Sequence, residues 1–244
     1  MKLRAVWEHN GKDTLLYACD FPGAFSRGCS LAEAAVKLPG AVAAWAKWAG
    51  MPMEKMDGVE VVQDRESGLN IRDADSDVLF DSERLPLTAG EYGALKALVM
   101  KSAHDFQLLY DAIGDGHASD IPERTTFYGP VPRSAEEMYR HTKQVNEYYF
   151  WEIGVDADNE GTIAECRARG FEKLEQAEGY LQKGAVTGSY GEEWSLRKLL
   201  RRFLWHDRIH ARAMYRMAVR MFGPDQIPDP FYFETERGDT YGMA

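Results

Sequence analysis

Two histidines four residues apart, His206 and His210, lie in a segment whose apolar positions recur with helical spacing, and a third, His141, lies in another such segment. An interval of four puts two imidazoles one turn apart on one face of a helix, where both can reach a single ion at about 2.0–2.1 Å. The stripe Leu196, Leu199, Phe203, Met214, Met217 and Met221 runs through His206 and His210, and the stripe Met138, Val145, Tyr148 and Tyr149 runs through His141. All three rings are therefore expected to face a core. One buried histidine is ordinarily a hydrogen-bonded core residue. Three without partners would cost on the order of several kcal/mol in desolvation, which a shared divalent cation offsets while each imidazole stays neutral.

Three neutral nitrogens leave an ion with at least one open position, the arrangement of a catalytic site. There it could lower the pKa of water or orient a thiolate. Glu137, one turn before His141, and Asp207, directly after His206, are the candidate carboxylates for orienting a ligand or moving a proton. The string from His206 to His210 also resembles HExxH with aspartate in place of glutamate, but no histidine follows His210 to complete a peptidase site. Within the basic run Arg197, Lys198, Arg201, Arg202 and Arg208, the pair Arg197 and Arg201 shares a helix face and is the candidate grip for a substrate carboxylate. The rest of that run reads as a solvated face. His104 falls opposite the stripe formed by Tyr92, Leu95, Val99, Phe106 and Tyr110, while His9 and His117 lie in turn or loop contexts, so these three are set aside as ligands.

The elements that must position the triad follow from periodicity and punctuation. Thr88 with Glu91, Ser134 with Glu137 and Ser189 with Glu192 are S/T-x-x-E capping boxes, and Gly114, Gly154, Gly184 and Gly223-Pro224 are stop signals. These delimit helices over 88–113, 134–153, 160–183 and 190–222, a four-helix bundle. The connection from Gly114 to Arg133, with Tyr128, Pro130 and Pro132, is long enough to cover one end of it.

Upstream the period changes to that of strands. Leu3, Ala5 and Trp7, then Thr14 to Cys19 after the Asn10-Gly11 turn, predict a hairpin; Val59 to Gln63 and Leu69 to Ile71 predict further strands. Ser30 with Glu33 caps a helix that Pro39-Gly40 is expected to kink or break. The acidic stretch from Arg72 to Glu83 reads as a linker, which gives a small α+β domain over 1–84 and an all-α domain over 85–244.

With 244 residues, 45% of them hydrophobic, the chain can bury two cores. A net charge of −10 argues against a nucleic-acid surface, and neither a hydrophobic signal core in Met1 to Asn10 nor an apolar run long enough for a membrane span is present. Cys19, Cys29 and Cys166 are odd in number and lack CxxC spacing, which fits a reducing cytoplasm.

Residues 88–222 resemble the DinB-like superfamily of metal-binding helical bundles, through the segment from Ser134 to His141 with Tyr148 and Tyr149, and through Glu193-Trp194 up to His206 and His210. The resemblance implies an up-down-down-up bundle, homodimeric, with zinc or nickel on His141, His206 and His210, and either thiol-dependent transfer or hydrolysis. Relatives often carry glutamate where Asp207 stands. The first 50 residues are similar to HicB-like antitoxin domains through Asp20-Phe21-Pro22-Gly23 to Gly28 and Ser30 to Glu33. That likeness implies protein contact or oligomerisation.

The expected function is thus a cytoplasmic metal-dependent hydrolase or thiol-dependent transferase acting on a small molecule or thiol. The alternative is a non-catalytic metal-binding regulatory protein, whose acidic linker and aromatic tail, Phe231-Tyr232-Phe233, would recruit a partner.

Overall fold

A computed structural model describes residues 2–53, 55–126 and 129–238, in two compact units. One comprises Met1–Arg84 together with the chain from Phe231 onward; the other is Leu85–Pro230. No helix among the described residues is long and apolar enough to cross a membrane.

In the first unit, β1 (Leu3–His9) and β2 (Thr14–Ala18) form the expected hairpin, with Val6 opposite Tyr17 and His9 opposite Thr14. Asn10 holds its turn by accepting from the backbone N–H groups of Lys12 (3.1 Å) and Asp13 (2.9 Å). β3 (Phe25–Gly28) adds antiparallel to β2, and β4 (Val59–Glu66) adds parallel to β1, giving the order β3-β2-β1-β4. A parallel pair needs a crossover. It is supplied by α1 (Leu31–Ala49), which packs on β2 and β3.

Three details differ from expectation. α1 runs unbroken through Pro39, because Ala34, Leu38, Val42 and Trp45 bury one continuous face against the sheet and outweigh one lost backbone bond. Leu69 to Ile71 is not a strand; Ile71–Asp73 is a 3₁₀ turn. The acidic stretch is not a free linker either, since Val78, Leu79 and Phe80 are buried and Ser76 donates to the fully buried Glu8 carboxylate at 2.5 Å. Phe231 stacks on Trp48 at 5.9 Å, so the aromatic tail is part of this unit rather than an extension of the helical one.

The second unit carries α2 (Ala89–Asp111), α3 (Ala135–Glu152), α4 (Ile163–Glu175) and α5 (Leu196–Phe222). α2 and α3 each pack against both α4 and α5. Capping boxes at Thr88 and Ser134 open α2 and α3 as expected, and a further one at Thr162 opens α4.

The expectation of a plain all-α four-helix bundle after an α+β domain is overturned. The described chain has five helices of 13 residues or more, counting α1, and the helical unit also holds two two-stranded hairpins, β5 (Thr125–Thr126) with β6 (Gly129–Pro130) and β7 (Val186–Thr187) with β8 (Glu193–Trp194). The second hairpin explains the misplaced end of α4 and start of α5. Ser189 does not cap a helix; its N–H goes to the buried Glu152 carboxylate at 2.6 Å, Tyr190 turns at φ +59°, and Ser195 becomes the N-cap of α5.

α3 and α4 approach closely at Gly170, where an added Cβ would stand 2.2 Å from the Phe150 ring. Gly170→Ala is expected to force that ring from its place and to destabilise the fold by about 1–3 kcal/mol, despite alanine's better helix propensity. A urea midpoint equal to or above that of the wild type would refute the close contact.

Candidate metal centre

α3 contributes His141. Its buried face, with Ala135, Met138, Tyr139, Thr142, Asn146, Tyr149 and Phe150, leaves His141 half-buried at the margin of the core. Asn146 pins the helix to α4 by donating to the carbonyls of Asp158 (2.7 Å) and Cys166 (3.3 Å). α5 contributes His206, which is buried, and His210, which is half-buried.

The rotation of α5 is fixed one residue further on. Asp207 is fully buried and its carboxylate receives both arms of the Arg167 guanidinium on α4, at 2.7 and 3.1 Å, and the Ser102 hydroxyl on α2 at 2.7 Å. Neighbouring helix positions point about 100° apart. With Asp207 turned towards α4 and α2, His206 turns towards α3.

The three imidazoles each offer a nitrogen within 4.8 Å of the others, so they lie close enough to hold one metal ion. His141 Nε2 and His206 Nε2 are 3.2 Å apart, and the His210 ring centre is 4.6 and 4.5 Å from those of His141 and His206. Two nitrogens bound tetrahedrally at about 2.0–2.1 Å stand about 3.3 Å apart, which matches the first spacing. Burial pushes the pKa of His141 down, and it pushes that of His206 well below the usual value, reinforced by His210, His141, Arg202 and Arg167. Neutral rings keep lone pairs available to a cation. Nδ1 of His206 is buried without a hydrogen-bond partner, so no carboxylate fixes that ring from behind.

A cavity of about 570 Å³ opens beside His141, walled by the β5–β6 hairpin and by the face of α3 that carries Glu137, Arg140 and Gln144. The crossover segment thus does line the site's approach. Asp120 anchors it to α5 through Arg220, at 2.6 and 2.7 Å. Tyr128, singled out in that segment, lies outside the described residues.

The other expected site residues fall elsewhere. Asp207 does not orient an imidazole, since its oxygens are engaged by Arg167 and Ser102, and this also removes the HExxH-like reading, which needs the carboxylate at the ion's open side. Glu137 lines the cavity, but its carboxylate caps α3 by accepting from the N–H groups of Arg133 (2.8 Å) and Ser134 (3.2 Å), which hold its pKa below the usual range. Arg197 is a clamp on the start of α2, donating to the carbonyls of Leu85 (3.0 Å) and Pro86 (2.8 Å) and to Glu91 (2.9 Å). Arg201 and Lys198 are buried, so the basic run is not a solvated face. His104 is exposed, as expected, His117 is exposed in its loop, and the ring of His9 stacks on Trp7. The cysteines are free thiols. Arg167 and Ser102 escaped the sequence reading because a buried arginine inside an amphipathic helix carries no local signal of its partner.

Asp207→Asn, which strips a buried guanidinium of its counter-charge, is expected to destabilise the protein by roughly 3–5 kcal/mol. Ser102→Ala, which leaves the ion pair intact, should cost about 1 kcal/mol. Equal losses for the two in chemical denaturation would contradict this ranking. No family model matches the chain, no curated protein is similar to it and no solved structure matches it, so the likenesses to DinB-like and HicB-like domains rest on the residues quoted for them.

Proposed function

We propose that His141, His206 and His210 hold one divalent ion, zinc or nickel, and that this centre serves hydrolysis or thiol transfer on a small molecule entering through the cavity at His141. The observation that carries the reading is the convergence of three imidazoles, two of them with pKa values lowered by burial and one of these on a cavity wall. When bound, such an ion would supply Lewis acidity, lowering the pKa of a coordinated water or holding a thiolate.

The chain's own residues divide the remaining work. His206, buried at the base, and His210, one turn on, give a rigid half of the site from a single helix. His141 supplies the side that meets the ligand. Glu137 stays ionised on the cavity wall, and a carboxylate held in that state by backbone N–H groups is a poor proton acceptor, so its part is to set local charge. A sealed structural ion would need a fourth protein ligand; among the described residues the cluster comprises three.

Cobalt(II)-loaded protein is expected to hold about one equivalent of metal, to lose it in His206→Ala and to keep it in His104→Ala, which alters an exposed position. Azide should shift the cobalt visible bands. Loading that is unchanged in a folded His206→Ala variant would end the metal reading. Bands indifferent to azide would end the catalytic one.

A further inference from the structure

The wall of the cavity beside His141 carries charges that sort ligands. Arg133 is paired with Glu123 at 2.9 Å, and Glu137 is occupied in capping α3. Arg140 is different. It is exposed, it lines the cavity, and it directly precedes His141 on α3. Among the described residues it makes no hydrogen bond or ion pair, its one recorded interaction being the attraction that helps keep Glu137 ionised. An unengaged guanidinium next in sequence to a metal-ligating imidazole offers a planar, two-pronged grip on an anionic oxygen pair.

The rest of the wall sets the charge that this grip accepts. Arg124, Arg133 and Arg140 stand against Glu123 and Glu137 on the same wall, a surplus of one positive charge, which a carboxylate at −1 balances and a phosphate near −2 exceeds. A volume of about 570 Å³ suits a small molecule and not a folded partner. The task first assigned to Arg197 and Arg201 thus has a better-placed candidate, since Arg197 is spent on Leu85, Pro86 and Glu91.

We infer that the substrate class of the metal centre is a small carboxylic acid, whose carboxylate Arg140 holds while its reactive group reaches the ion at His141. This rests on the metal reading above and goes beyond it in naming the ligand.

The test uses the full chain loaded with cobalt(II) and two thiols of similar size, 3-mercaptopropionate and 2-mercaptoethanol, titrated by the thiolate-to-cobalt absorption band. Wild type is expected to bind the carboxylate-bearing thiol about tenfold more tightly, a preference that Arg140→Gln abolishes while metal content and 2-mercaptoethanol affinity stay the same. If cobalt binds yet the two thiols bind equally, or the preference survives in Arg140→Gln, the carboxylate inference falls and the metal reading stands. If cobalt does not bind, both fall. Inorganic phosphate displacing 3-mercaptopropionate at lower concentration than propionate does would overturn the assignment to a carboxylate.

Discussion

The carboxylate of Asp207 is buried among three helices, and the guanidinium of Arg167 is the charge that makes its burial tolerable. Two parallel hydrogen bonds and a third from Ser102 satisfy both oxygens. Such a pair adds little net stability compared with a well-packed apolar replacement, but it is intolerant of misalignment. A rotation of α5 by one position would leave two ions unpaired in the core. The histidine face of α5 is therefore set by a bond that no histidine makes, and the convergence with His141 follows from it.

The same economy governs the rest of α5. A helix with this many cations would ordinarily spend them on solvent, yet Lys198 is enclosed, with Glu192 at 2.9 Å and the Glu193 carbonyl at 2.6 Å, and burial draws its pKa down to about 8. Arg202 lies within 5.6 Å of the ring centres of Tyr149, Trp194 and Trp205. Arg202, with Arg167, adds to the burial that lowers the basicity of His206. A buried imidazole that must stay unprotonated gains from positive charge held beside it.

In the first unit, polar burial again shapes what the alternation of residues alone would leave open. Glu8 occupies a strand position whose side chain is fully buried, and the turn around Ser76 is drawn in to satisfy it, the Tyr17 hydroxyl standing 2.8 Å from Ser76 Oγ. A stretch whose acidic composition reads as solvated is thereby packed, with Val78 and Phe80 following Ser76 into the core. Trp45 is buried, its indole N–H donating to the Pro22 carbonyl at 2.8 Å beside the Gly23 turn at φ +89°.

Local signals in the chain were sufficient for the first hairpin, the caps at Ser30, Thr88 and Ser134, the course of α2 and α3, and the inward phase of His141, His206 and His210. Each of these is written within one or two turns of residues, where spacing and capping chemistry act. The tertiary structure alone decided the roles that depend on a distant partner: Asp207 on Arg167, 40 residues away, Arg197 on Leu85 and Pro86, and Ser189 on Glu152 in place of a helix cap. It also decided that Pro39 does not end α1 and that Arg140, not Arg197, faces the cavity. A charged side chain takes whichever counter-charge folding brings within hydrogen-bond reach, and that choice is made between helices and not along the sequence.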